Sequence, residues 1–268
     1  MARINAVSFH EDPYLESICR KALDAGFDSL EVSRPPFFDR LPTAGARNLF
    51  LKWARSKGLK LHGFDCWVEV DPYRARAQTL DCFRSAMEFA SDLSLGMVIT
   101  HDPWAHVNRD RSPADCLHQN IAFFGEVADL AEARQLSLVF EPHPDTWSMD
   151  PAWAEDFIDG IGRSNVGLLY DCCHYGVGHP TRYIEMIRRL GPRIKHVHYS
   201  DGDRKTYALH LPLGDGELDL DGIVAGLQEI GFKGTLTNDM YHCPLLEDGA
   251  RRNVESVRAV EQKLGLAS

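Results

Sequence analysis

The chain has 268 residues, 44 % of them apolar, enough for a sizeable core and too many for a disordered chain. Its 39 acidic and 29 basic side chains give a formal net charge of -10, which disfavours non-specific attraction to nucleic acid or to an anionic membrane. Seven cysteines, an odd number without a CxxC pair, argue against a disulfide framework or a thiolate zinc site. The opening MARINAVSFHEDP lacks the apolar core of a signal peptide, and no stretch approaches the roughly 18 apolar residues of a membrane span. A soluble cytoplasmic protein with free, buried thiols is expected.

Strand-like and helix-like segments alternate along the whole chain. Strands are predicted near 3–9, 28–33, 59–65, 96–101, 136–141, 165–171, 193–199 and 234–239. The clearest helix runs from Leu117 to Ala131, with Leu117, Ile121, Phe124, Ala128 and Ala131 on one face. Leu220, Ile223, Val224, Leu227 and Ile230 repeat that pattern. AGFDSLEV, SKGLKLHGF and IGFKGTLT each set a glycine between helix and strand, as a helix C-cap requires. Asp150-Pro151 and His179-Pro180 read as helix starts. These βα units, with no linker or low-complexity tract between them, predict one (β/α)8 barrel domain over 1–268. The long irregular stretches at 34–44, 101–112, 142–149 and 200–218 follow strands and would form its active face.

Four of the later apolar runs end in an acid or an imidazole: LSLVFE at Glu141, VGLLYD at Asp171, IKHVH at His198 and GTLTND at Asp239. In a closed barrel the C-terminal ends of successive strands converge, so these side chains are expected to meet. Hard oxygens with one imidazole suit a single divalent cation, with Mn2+ the leading candidate beside Mg2+, Co2+ and Zn2+. Such a cation polarises a carbonyl and acidifies the neighbouring C–H. His174 lies three residues after Asp171 and can face the same pocket if the chain turns there. His196 shares a strand face with His198 but sits one layer deeper, where a packed, hydrogen-bonded imidazole is expected.

The set Phe-Glu-Pro-His, Tyr-Asp-Cys-Cys-His, His-Val-His-Tyr-Ser-Asp and Leu-Gly-Asp-Gly-Glu-Leu-Asp, between Phe140 and Met240, resembles the xylose isomerase-like barrel superfamily of sugar isomerases and epimerases. The resemblance implies proton transfer on a keto sugar or related polyol through a metal-stabilised ene-diolate, with a small carbohydrate as partner. These barrels often pair, so a homo-oligomer fits the resemblance. In the ketose 3-epimerases of the group the metal is held by Glu, Asp, His and Glu from the last four strands, which fall here on Glu141, Asp171, His198 and Asp239. The two Glu ligands also act there as the acid/base pair, so Glu141 and Asp239 become the catalytic candidates. By the same resemblance His174 and Arg204 would hold substrate oxygens.

The chain departs from that pattern at Asp239, where the missing methylene withdraws the carboxylate by roughly 1.5 Å, about one C–C bond. One-base isomerisation or a lyase reaction then competes with two-base epimerisation. The lyase alternatives are dehydration of an inosose-like ketone and β-elimination from a 3-oxo-glycoside. His143, two residues after Glu141, is an alternative base near neutral pH, and a turn-capping loop residue on the opposite reading. The apurinic endonucleases of the superfamily use extra His and Asp ligands. His101 and His210 match two of the His positions, but Ala208 stands where an Asp is needed, so both histidines are expected to meet substrate or loop backbone instead. Glu31, His62, Asp65, Trp67 and Trp104 are secondary candidates for the pocket wall, with ordinary packing as the alternative. Leu-Gly-Asp-Gly-Glu lacks the lysine and helix of a phosphate-binding loop. A non-catalytic sugar-binding subunit is the reading from a different class; a silent subunit would not need four converging ligands.

Overall fold

Short apolar runs without a polar face, such as Val166–Asp171, are strands that must be covered on both sides. In the computed structural model, which describes residues 1–266, the strands close into a parallel barrel in chain order. They are β1 (Arg3–Asn5), β2 (Ser29–Ser33), β3 (Lys60–Asp65), β4 (Met97–Thr100), β5 (Ser137–Phe140), β6 (Val166–Asp171), β7 (Ile194–Tyr199) and β8 (Thr235–Asn238). The helices are α1 (Leu15–Ala25), α2 (Phe37–Arg40), α3 (Ala44–Ser56), α4 (Arg76–Asp92), α5 (Pro113–Glu132), α6 (Pro151–Ile161), α7 (Cys172–Gly178), α8 (Tyr183–Leu190), α9 (Leu220–Glu229) and α10 (Leu246–Leu264). The fold is the (β/α)8 barrel that the alternation predicts.

Local chemistry explains the boundaries. Gly26 caps α1 in the left-handed region at φ +100°, where a side chain would be strained. Asp150 caps α6 by accepting from the N–H groups of Ala152 and Trp153 at 2.9 and 3.0 Å. The first strand is shorter than its predicted extent of 3–9. Asn5 Oδ1 accepts from the Val7 N–H at 3.0 Å and turns the chain into a 3-10 turn over Ala6–Phe9. His179-Pro180 does not start a helix: His179 closes α7 with its N–H on the Tyr175 carbonyl, and α8 begins at Tyr183.

The main core lies between barrel and helices, where Phe124 meets Phe140 edge-on at 4.7 Å. Met97, Ile99, Val139 and Leu169 form a smaller apolar cluster of their own. The seam between β1 and β8 is narrow, with register pairing only at Ile4 and Asn238. Arg3 reinforces it by donating to the Leu236 carbonyl at 3.3 Å and to the buried Glu261 carboxylate of α10 at 2.6 Å. Between β6 and β7 the register shifts after Leu168, which brings Asp171 level with His198. The cysteines are unpaired, and no helix among the described residues is long and apolar enough to cross a membrane.

Candidate metal centre and its cavity

Glu141 and Asp239 are the first residues after β5 and β8, Asp171 ends β6, and His198 lies in β7; all are buried. Three carboxylates converge on one nitrogen. His198 Nδ1 lies 3.0 Å from Glu141 Oε1, 3.6 Å from Asp171 Oδ2 and 3.6 Å from Asp239 Oδ2. Glu141, Asp171 and His198 offer donor atoms all within 4.8 Å of one another.

The other side of the imidazole is occupied. Glu31, fully buried on β2, accepts from His198 Nε2 at 2.8 Å through one oxygen. Its second oxygen lies 2.7 Å from His196 Nε2 and 3.1 Å from Thr237 Oγ1. Burial alone would raise the Glu31 carboxyl, but the two imidazoles at its oxygens hold it well below the ordinary carboxylate range. With Nε2–H directed at Glu31, His198 turns an Nδ1 lone pair toward three carboxylate oxygens. That arrangement is repulsive unless a proton or a cation lies between them. Burial opposes a charge on His198, yet Glu31 and Glu141 outweigh it and push its pKa well above normal. A carboxylate behind a ligating imidazole is the usual orienting partner in metal sites.

His210 repeats the arrangement. Its Nε2 donates to the Tyr207 carbonyl at 3.1 Å, so Nδ1 faces Asp239 Oδ2 at 3.2 Å and Asp171 Oδ2 at 3.9 Å. Against its burial, Asp171 and Asp239 raise the imidazole to about 9. Asp171 Oδ2, His174 Nδ1 and His210 Nδ1 are buried without a hydrogen-bond partner. Buried orphans around a convergent carboxylate–imidazole set are what a divalent cation satisfies, so the donor chemistry fits one.

A cavity of about 340 Å³ opens over this cluster, lined among others by Asp65, Trp67, Glu141, His143, His174, His210 and Asp239. Asp171 caps α7 by accepting from the His174 N–H at 2.8 Å, the turn that sets His174 into the pocket. His143 donates Nδ1–H to the Glu141 carbonyl at 3.0 Å, because a carbonyl only accepts. Its Nε2 is therefore a free lone pair, 3.8 Å from Glu141 Oε2. Burial and the neighbouring His174 and His101 hold its pKa well below normal, so the imidazole stays neutral. Asp65 is buried in the same wall, with Asn5 Nδ2 donating to it at 3.1 Å. Burial and the Glu141 charge push the Asp65 carboxyl well above the ordinary range.

Other expected contacts fall elsewhere. Arg204 is outside the cavity wall: it pairs with Glu217 at 3.1 Å and reaches the Pro180 carbonyl at 3.4 Å, packed behind α7. His101 is buried behind the wall, its Nδ1 donating to the Asp102 carbonyl at 2.7 Å. His62 belongs to the barrel interior, where it meets Thr235 at 3.1 Å and burial pushes its pKa down to about 3. His196 is the deep core imidazole expected, bound to Thr235 and Glu31. The Leu-Gly-Asp-Gly-Glu loop has an occupant of its own. Asp201 accepts from the N–H groups of Gly202, Gly214, Gly216 and Leu218 at 2.8 to 3.0 Å. A Cβ on Gly216 would collide with that carboxylate, so only glycine permits the approach. This pins the loop that carries His210. His10, Tyr207 and Tyr241 also line the cavity. The sequence reading did not single them out; the only signal was a polar or aromatic residue a few positions past a strand end.

The family description "Xylose isomerase-like TIM barrel" matches residues 19–260, and the chain belongs to that family. An inosose isomerase of Bacillus velezensis is 26 % identical over 161 residues, covering 52 % of this chain and 53 % of that protein. An inosose dehydratase of Serratia proteamaculans is 23 % identical over 164 residues, covering 53 % and 54 %. The chain thus matches about half the length of these curated relatives. The crystal structure of an IOLI protein with a bound zinc atom superposes with a TM-score of 0.79 at 18 % identity, over 98 % of this chain and 97 % of that one, and shares its fold.

Proposed function

We propose that the protein is a divalent-metal-dependent sugar isomerase or epimerase acting beside the carbonyl of a keto sugar or related polyol. The observation that carries this reading is the convergence of Glu141, Asp171 and Asp239 on His198 Nδ1, with Glu31 fixing the opposite nitrogen. Glu141, Asp171, His198 and Asp239 would hold the cation. Bound there, it would polarise the substrate carbonyl and make the adjacent C–H acidic. Zinc in the IOLI structure and the inosose isomerase among the relatives agree with this chemistry, for which Mn2+, Mg2+, Co2+ and Zn2+ are the candidate ions. Glu141 would take or return the proton at carbon, His174 would hold a substrate oxygen, and Asp239 would serve as the second acid/base where its shorter side chain reaches.

His143 favours a second reading. A neutral imidazole with a free Nε2 in the cavity is placed to remove a proton at pH 7 without help from Asp239. With a leaving group β to the carbonyl, the reaction would be elimination, as the name of the dehydratase relative suggests. The deciding experiment is metal analysis of the purified protein, together with solvent-deuterium exchange into a panel of ketoses, inososes and 3-oxo-glycosides. Stoichiometric divalent metal with deuterium entering beside the carbonyl supports the proposal, and the products separate isomerase from lyase. Absence of both metal and exchange would sink it in favour of a sugar-binding barrel.

A further inference from the structure

Trp67 is 40 % exposed, although its ring stands 5.3 Å from that of His143 in the wall of the cavity over the metal cluster. It belongs to the wall of that cavity and also to the wall of a second one, of about 480 Å³. The second cavity is lined among others by Trp67, Trp104, His101 and Val107, and by the charged side chains of Glu69 and Arg74. The two indoles lie 6.5 Å apart, and His101 packs 4.5 Å from Trp104. An aromatic wall thus continues from His143, 3.8 Å from a candidate catalytic carboxylate, into a separate chamber. Arg74 is held by Asn108 at 2.8 Å and by Asp110 at 2.9 Å, so the rim is braced.

A monocyclic sugar over the metal cluster has no use for that second chamber. Adjoining indole faces bind the apolar face of a ring, aryl or glycosyl, while a polar edge meets its hydroxyls. We propose that the Trp67–Trp104 chamber binds a second ring of the substrate, so that the protein takes glycosides rather than free monosaccharides. This rests on the metal-centred reading above for the position of the first ring.

The test is binding without turnover, so that it can fail independently of the chemistry. Methyl β-D-glucoside and phenyl β-D-glucoside share their first ring, and only the phenyl compound carries a second. Calorimetric titration of the metal-loaded protein should give about tenfold tighter binding of the phenyl compound. Methyl β-cellobioside asks whether a sugar ring serves as well as an aryl one. Trp104→Ala should remove most of the advantage. Val107→Trp, at an exposed wall position where folding is not at risk, should block the chamber and do the same. Equal affinity for all three ligands, no binding of any, or an advantage that survives both substitutions would each overturn the proposal. If the advantage appears while deuterium exchange into 3-oxo-glucosides fails, the chamber stands and the proposed reaction falls.

Discussion

Glu31 Oε1 and His198 Nε2 lie 2.8 Å apart in a fully buried pair, the middle of β2 reaching across the barrel to the end of β7. The contact decides which nitrogen of His198 faces the carboxylates, and the second Glu31 oxygen ties the same carboxylate to His196. A site assembled from β5, β6, β7 and β8 is therefore oriented from β2.

Replacing Glu31 with Gln keeps the volume and removes the charge that fixes the His198 tautomer. Loss of such an orienting partner lowers metal affinity by roughly 10- to 100-fold. Equilibrium dialysis against Zn2+ or Mn2+ should read that drop, with far-UV circular dichroism unchanged. Wild-type affinity in a folded Glu31→Gln would show that the pair is only structural.

Metal binding should also depend on pH in one direction. His198 is held well above its ordinary pKa by Glu31 and Glu141, against the effect of burial. His210 is raised to about 9 by Asp171 and Asp239. Both are raised, so without a cation both are protonated at pH 7, and a cation must displace protons. Apparent affinity should rise as pH increases toward 9, and addition of metal in weak buffer at pH 7 should release protons. A pH-independent affinity from pH 6.5 to 9 would contradict the arrangement.

Glu141→Gln and His143→Gln separate the two candidate bases. If Glu141 moves the proton at carbon, Glu141→Gln should lower deuterium exchange by about 10²–10⁴-fold, while His143→Gln changes it little. If His143 is the base of an elimination, enone or aglycone release should vanish in His143→Gln. Metal content measured on both variants distinguishes a lost base from a lost ligand.

Much of this geometry is legible in the sequence. Buried parallel strands are apolar throughout, so an acid or imidazole at the end of each run stands out, as at Glu141, Asp171 and His198. Helix caps such as Asp150 and Gly26 are local chemistry and equally readable. Long-range pairings are not. Nothing near Glu31 in the chain says that it will meet His198, 167 positions away. Arg204 is a different case. The resemblance implies a substrate contact for it, whereas in the structure its backbone takes a positive φ of 56° and its guanidinium pairs with Glu217. The short first strand has a third cause, since Asn5 turns the chain with its own side chain, which alternation of apolar residues does not reveal.

The barrel seam gives a stability prediction. Glu261 is fully buried and receives Arg3 at 2.6 Å. Truncating one partner of a buried ion pair leaves the other uncompensated and costs about 3–5 kcal/mol. Glu261→Ala should lower the urea midpoint accordingly, with little change in slope. A loss near zero would mean that water reaches Arg3 readily and that the seam is held by apolar packing alone.

Asp201 offers a milder test that bears on the site. Its carboxylate is shared by the N–H groups of Gly202, Gly214, Gly216 and Leu218, and the segment it gathers carries His210 to within 3.2 Å of Asp239. Asp201→Ala leaves those donors without their acceptor, at about 1–3 kcal/mol for a buried group left unsatisfied. Because water can reach the loop once it loosens, the larger effect should be local. Hydrogen exchange should quicken in the segment from 202 to 218, and substrate affinity should fall more than metal affinity, since His198, Asp171 and Glu141 lie outside the segment that the Asp201 carboxylate gathers. Equal losses of both would place His210 among the metal ligands rather than beside them.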